Sequence, residues 1–323
     1  MSRLSLGRRT FLRSGMAAPA LAPGLGRAQS IENVDLLLDW KVSPTYAGFH
    51  IAREIGAFRK RGVDVRLVEG HGATAAAAEI GKGNDYWIGS SSGAATAIGR
   101  AKGQAVRSLA VYYRRTPTVV YARAADHIDA PRDLLGKKIG VVPGSVTIDE
   151  FRALLVANRL DRTRITEVAV DGSGKALLDR EVDALIDYEE LNPAELIAAG
   201  EKISIMRFAD FGVRLYSLNL IVNDDAWAAP GRKTVARKIA EALQESFGLV
   251  RDRPRDAAAI FKRLFPDIAP RYADQSMVTV GRQLGTQQIG LQSRAGWEDT
   301  LKILTSLGLL ARPVSPEEVA ILD

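Results

Sequence analysis

The sequence predicts an α/β protein of two doubly wound lobes with a ligand cleft between them. Three observations carry that expectation. The order strand, helix, strand, helix, strand occurs twice at similar length; one extended run leaves the first repeat and another returns to it; and the chain from Arg232 onward has helical periodicity without a strand signal.

In the first repeat "VDLLLD" (34–39) is an apolar run of the kind that is buried on both faces. Ile51, Ile55 and Phe58 then fall at i, i+4 and i+7, one face of a helix that stops at Gly62. "VDVRLV" (63–68) alternates apolar with charged residues as a half-buried strand does, an Ala-rich helix covers 74–81, and Asp85 leads the strand "YWIG". The second repeat keeps the order with "KKIGVV" (137–142), "GSVTIDEFRALLVANRL", "ITEVAV" (165–170), "SGKALLDRE" and "VDALID" after Asp183. "TPTVVYARA" (116–124) is the crossing strand and "RLYSLNLIV" (214–222) its return. Farther on, Val235, Ile239, Ala242 and Leu243 make one apolar stripe and Trp297, Leu301 and Leu304 another, so these helices must pack back on a lobe. The expected lobes are 31–120 plus 219–323, and 121–218.

Residues 1–28 read as a twin-arginine export signal. Arg8 and Arg9 precede Phe11 and Leu12, a mildly apolar Ala/Pro/Gly run follows, and Gly26-Arg27-Ala28 is a small-x-small cleavage site. These residues hold Arg3, Arg8, Arg9, Arg13 and Arg27 and no acid, so their removal takes the formal charge from +6 to +1. The basic stripe that nucleic-acid binding requires is then gone. With no cysteine, disulfides, thiolate metal sites and cysteine nucleophiles are excluded.

Two enzyme motifs fail on chemistry. "GSSSG" (89–93) fits the G-x-S-x-G elbow between a strand and a helix, but a serine hydrolase needs a base late in the chain. The histidines are His50, His71 and His127, so Ser90, Ser91 and Ser92 are read as capping and hydrogen-bonding groups. "GSGK" (172–175) is followed by Ala176 where a P-loop requires Ser or Thr, and it is a turn. The histidines lack metal spacing, and no metal or cofactor is expected.

Ligands of open α/β sheets sit beyond the carboxyl ends of the strands. The loops Asp39–Tyr46, Gly89–Gly93, Pro143–Thr147 and Asp187–Glu190 qualify, two from each half. Trp40 and Tyr46 offer flat faces with polar edges, Asp39, Glu189 and Glu190 offer acceptors, and helix starts after Gly89 and Gly144 offer N–H groups.

Asp39-Trp40, Ser43-Pro44, Ala47-Gly48, Gly56-x-Phe58, Gly62-x-Asp64-Val65, Ala101-x-Gly103, Asp133-Leu134-x-Gly136-Lys137-Lys138-Ile139-Gly140-Val141, Pro143-Gly144-Ser145 and Tyr216-Ser217 carry a family likeness. From about Val34 to Ala259 the chain resembles the periplasmic solute-binding proteins of ABC importers, whose fold is type II-like. The branch is the one that takes up thiamine pyrimidine precursors, with nitrate, sulfonate and taurine binders more distant. Where that branch carries His, Ala-Gly and then Tyr two residues on, this chain has Tyr46, Ala47-Gly48, Phe49 and His50, so the ring types are exchanged. The cysteine-rich motif of the eukaryotic pyrimidine synthases of this fold is absent.

The resemblance and the loops together imply a ligand-binding set of Asp39, Trp40, Tyr46, His50, Ser90, Ser91, Ser145, Thr147, Tyr188, Glu189 and Tyr216. They also imply a monomeric periplasmic protein that hands a nitrogen heterocycle to an ABC importer permease in the inner membrane. An anion such as a sulfonate or nitrate is the alternative ligand, with Lys41 neutralising one acid. An exported serine hydrolase, or a partner of a membrane sensor, are the other readings.

Overall fold

The computed structural model describes Met1 and residues 31–322; the export signal expected over 1–28 lies, Met1 apart, outside the described residues. The chain opens with β1 (Glu32–Leu37), a 3-10 turn (Pro44–Tyr46), α1 (Ala47–Glu54), β2 (Val63–Val68), α2 (Ala73–Lys82), β3 (Ile88–Ser92), α3 (Gly93–Ala101) and β4 (Val106–Val111). It crosses into β5 (Thr118–Arg123), β6 (Lys138–Val141), α4 (Val146–Ala157), β7 (Thr166–Ala169), α5 (Lys175–Leu178), β8 (Ala184–Tyr188), α6 (Asn192–Ala199) and β9 (Ile203–Arg207). It returns through β10 (Leu218–Asn223) to α7 (Asp224–Ala228), α8 (Pro230–Asp252), α9 (Pro254–Leu264), α10 (Pro270–Leu284), α11 (Arg294–Ser306) and α12 (Pro316–Val319).

The two five-stranded sheets share one plan. The first has the order β2-β1-β3-β10-β4 and the second β7-β6-β8-β5-β9. In each, a strand delivered from the other half lies antiparallel between two resident strands: β10 between β3 and β4, β5 between β8 and β9. The two crossings run side by side, with Tyr112 N–H donating to Leu218 O at 2.8 Å and Ser217 N–H to Tyr113 O at 2.9 Å. The predicted crossing and returning runs are therefore β5 and β10.

The structure corrects two readings of the sequence. Residues 89–92, expected as a loop, are the body of β3. Small residues are required there because a Cβ on Gly89 would stand 2.4 Å from Leu37 O. Serines are tolerated in a buried strand because each hydroxyl finds a partner, Asp39 for Ser90, Ala73 O for Ser91 and the α3 N-terminus for Ser92. The second reading is one of number, since each sheet has a further strand, β4 and β9, that the repeat pattern did not separate out.

The stripe Val235, Ile239, Ala242 and Leu243 is buried in the first core together with Phe49, Phe58 and Phe247. Trp297, Leu301 and Leu304 pack with residues of α3 and of the second sheet, so one apolar cluster runs between the lobes. Gly48 sets how closely α1 approaches α8, since a Cβ there would lie 2.6 Å from the Phe247 ring. Gly231, exposed near the start of α8, faces open space. Gly48→Ala should therefore cost about 1–3 kcal/mol by overpacking, whereas Gly231→Ala should stabilise by a few tenths up to about 1 kcal/mol through helix propensity. Paired urea melts check this, and a Gly48→Ala protein as stable as wild type would show that the α1–α8 contact yields freely.

Candidate functional site

Between the sheets lies a cavity of about 820 Å³, within the roughly 300–1,000 Å³ typical of small-molecule sites. The first lobe contributes Asp39, Trp40, Ser43, Thr45 and Tyr46, the start of α2 and the Ala94, Ala95 and Ile98 face of α3. The second contributes Val142–Thr147, Asp149, Glu150 and Ile186–Tyr188. An apolar wall comes from Leu215 with Leu304, Leu307 and Leu309 at the end of α11.

Asp39 sits where β1 ends, 8% exposed. Its N–H donates to Ser90 Oγ at 2.9 Å and Ser90 Oγ donates back to Asp39 Oδ1, while the Tyr46 hydroxyl hydrogen-bonds the same carboxyl. Burial raises the Asp39 pKa, and these hydrogen bonds pull it part of the way back. Burial, then the Asp39 charge, hold the Tyr46 phenol well above its usual range, so Tyr46 remains a neutral donor. Trp40 follows, 51% exposed at the cavity and not wedged into the core.

On the facing wall Ser145 caps α4, with its Oγ accepting from Thr147 N–H at 3.3 Å and its hydroxyl 2.9 Å from that of Thr147. One turn on, Glu150 is 3% exposed and accepts hydrogen bonds from the Thr116 and Thr118 hydroxyls. Burial lifts its pKa to about 7. Asp187 accepts from the backbone N–H groups of Tyr188 and Asn192 and from the Asn192 side chain, and burial lifts its pKa to about 6. The Tyr188 hydroxyl hydrogen-bonds Ser217 and feels the charges of both Glu150 and Asp39, so it spans the two walls.

Of the predicted set, Asp39, Trp40, Tyr46, Ser145, Thr147 and Tyr188 line the cavity, and His50, Ser90, Ser91, Glu189 and Tyr216 do not. Ser90 acts through Asp39, and Ser91 donates to Ala73 O at 2.9 Å, tying β3 to α2. His50 is buried on the far side of α1 with its ring centroid 4.9 Å from that of Phe265, and burial drops its pKa to about 4. Tyr216 packs edge-on against Trp297, its hydroxyl 3.3 Å from Ser293 Oγ.

Glu189 is the largest correction. It is 4% exposed and takes Arg207 on both oxygens, at 2.9 and 2.6 Å, and Arg282 of α10 at 2.6 Å. Its neighbour Glu190 accepts from Thr45 Oγ1 at 2.8 Å and from Gln283 Nε2 at 3.0 Å, and its carbonyl accepts from Ser276. Both acids fasten the end of β8 to α10 and the first lobe instead of facing a ligand. Asp149, Glu150 and Asp187 are the lining acids that lie outside the predicted set. Among the described residues no Lys or Arg lines the cavity, and Lys41 does not.

Comparison with known proteins agrees with this geometry. Residues 43–257 match the family described as NMT1/THI5 like. The riboflavin-binding protein RibY of Chloroflexus aurantiacus is 24% identical over 317 residues, covering 94% of this chain and 88% of its own. A formylaminopyrimidine-binding protein of Halalkalibacterium halodurans is 21% identical over 300 residues, covering 90% of each. A 4-amino-5-hydroxymethyl-2-methylpyrimidine phosphate synthase of Uromyces fabae is 27% identical over 170 residues, 52% of this chain and 49% of that one. Among solved structures, the periplasmic aliphatic sulphonate binding protein SsuA of Escherichia coli superposes with a TM-score of 0.71 at 13% identity, over 90% of this chain and 97% of that chain. At that identity the likeness is one of fold, and the fold is the two-lobed one that the sequence predicts.

The buried acids make stability depend on pH. Glu150 and Glu190 titrate near 7 and Asp187 near 6, against ordinary values of 4.5 and 3.8, with burial the first cause in each. A raised folded-state pKa means that the folded chain keeps protons the unfolded chain releases. The stability from these groups is then complete below the usual carboxylate range and is lost as pH climbs through about 6–7. The ligand-free protein should melt lower at pH 8 than at pH 5, with up to about 1.4 kcal/mol per pH unit from each group inside its window. Glu190→Gln should flatten that slope in calorimetry; an unchanged slope would mean that Glu190 is ionised throughout.

Proposed function

This chain belongs to the NMT1/THI5-like family, and from that premise we propose that it is an exported solute-binding protein. Its ligand is a neutral or cationic planar nitrogen heterocycle, of which a thiamine pyrimidine precursor is the first candidate, and it hands that ligand to an ABC importer permease. The observation that carries the ligand class is the charge of the cavity wall. Asp39, Asp149, Glu150 and Asp187 line it, and no Lys or Arg is among the described residues that do. Asp149 alone has a cationic partner, Arg152 at 3.2 Å. Wherever these acids are ionised, an anion placed among them would cost several kcal/mol, whereas N–H donors on a ring would be welcomed.

The rest of the lining fits the same ligand. Trp40 and Tyr188 supply aromatic faces, Tyr46 and Thr147 supply neutral hydroxyls, and the leucines at the end of α11 suit an apolar edge or substituent. The relatives named for riboflavin and formylaminopyrimidine both take heterocycles, and the cavity volume leaves room for more than one ring. Transport rather than turnover is supported by the serines of the G-x-S-x-G run. Ser90 and Ser91 are engaged with Asp39 and a backbone carbonyl, not with a histidine.

Thermal-shift titration with 4-amino-5-hydroxymethyl-2-methylpyrimidine, formylaminopyrimidine, riboflavin, taurine and nitrate tests the ligand class. A heterocycle should stabilise the protein by about 2.7 kcal/mol at a hundred times its Kd, and stabilisation by taurine or nitrate instead would reverse the assignment. Binding should also quench tryptophan fluorescence through Trp40, because Trp297 is buried and cationic side chains cover the rings of Trp87 and Trp227. Trp40→Phe should lose that quench, and a full quench in the variant would take Trp40 out of the site. Replacing Arg8 and Arg9 together by Lys should leave the protein inside the cell in a fractionation experiment. Export undiminished in that variant would assign the signal to the general secretory route.

A further inference from the structure

We propose that Glu150 is the second lobe's ligand-contacting carboxylate: its Oε1 accepts a hydrogen bond from a ring or amino N–H of the bound heterocycle, opposite Asp39 on the first lobe. The inference rests on the function proposed above and names the contact that selects the ligand.

The geometry comes from how the two carboxyl oxygens are used. Thr116 and Thr118 both donate their hydroxyls to Oε2, and Oε1 takes part in neither bond. Thr118 opens β5 and Thr116 lies in the crossing between β4 and β5, so the anchor of Glu150 is the inter-lobe connection itself. The side chain lines the cavity although the residue is 3% exposed. With Oε2 already accepting two donors, a proton held by Glu150 resides on Oε1, the oxygen left for the ligand. The titratable groups facing Glu150 are Asp149, one residue back on α4, and Tyr188 at the end of β8. Both carry negative or neutral states, and together with burial they favour a protonated Glu150 in the empty site.

A ligand N–H can engage Oε1 only after that proton has left for solvent. Binding at mildly acidic pH therefore releases a proton from Glu150 and forms one charge-assisted hydrogen bond. A ligand that presents only acceptors there would retain the proton, and an anion would be repelled once it was gone. Glu150 thus selects for the donor edge of a heterocycle, and it does so most strongly above about pH 7.

Isothermal titration with formylaminopyrimidine and with riboflavin, in phosphate and in Tris at about pH 6, tests this. Wild type should release a fraction of a proton per ligand, and affinity should rise as the pH is brought to 8. Glu150→Gln should bind at least about tenfold more weakly, release a smaller fraction of a proton and depend less on pH. Thr118→Val, which removes one donor to Oε2, should move the midpoint of proton release to higher pH and so reports on Glu150 even if the Gln variant folds poorly. Equal affinities and equal proton release in wild type and Glu150→Gln would overturn the assignment of Glu150 while leaving the heterocycle reading intact. Failure of both heterocycles to bind wild type, with taurine binding in their place, would overturn that reading and this contact with it.

Discussion

The structure depends on the exchange of one strand between two otherwise independent sheets. β10 is inserted antiparallel into the first sheet and β5 into the second, each hydrogen-bonded on both sides. Withdrawing either would leave two strand edges bare in a buried sheet, so the lobes cannot separate without unfolding. The covalent links between them are two adjacent crossings held together by the Tyr112, Tyr113, Ser217 and Leu218 backbone. The same exchange aims the carboxyl ends of the parallel strands of both sheets at one space. Asp39 and Asp187, at the ends of β1 and β8, thereby become walls of one cavity.

A second link lies to one side of that cavity. α10 packs on α8 and α9 of the first lobe and on α6 of the second, and Glu189 and Glu190 dock on it beside α6. Breaking the Glu189 contacts would leave a carboxylate that is 4% exposed without its two guanidinium partners, a loss of the kind that costs several kcal/mol. The Thr45 bond to Glu190 extends the same seam to the 3-10 turn that carries Tyr46. Any motion of the second lobe that keeps these contacts must pivot about this seam.

The fold was legible because period and length carry it: an apolar run in β1, alternation in β2, and three-and-four spacing in α8. The site was legible where a residue ends a strand in the same repeat, as Asp39, Trp40 and Tyr188 do. It failed where partners come from far along the chain. Glu189 and Arg282 are 93 residues apart, and nothing local in "DYEEL" announces that α10 will claim the acid. β3 was misread because Gly and Ser usually punctuate loops, yet here they satisfy a strand squeezed against β1. Glu150 had a signal that went unused. It falls on the helix face of Thr147 and Leu154, and an acid on an inward stripe needs a partner or a task.

The distribution of acids also explains why an empty cleft should resist closing. Asp39 on one wall and Glu150 on the other both act on the Tyr188 ring between them. When both are ionised, bringing the walls together sets like charges against each other in a medium of low dielectric, and the repulsion grows as water leaves. Protonating Glu150 relieves it at the expense of an acceptor. A ligand with N–H groups on two edges relieves it without that loss, because each carboxylate gains a donor and the ring separates the charges. The closed arrangement is then favoured by what lies between the acids, which is the differential affinity that any ligand-driven change of conformation requires. An anionic ligand would add a third negative charge to the same gap. Under the proposed function, selection of the ligand and closure of the lobes would both follow from one electrostatic arrangement.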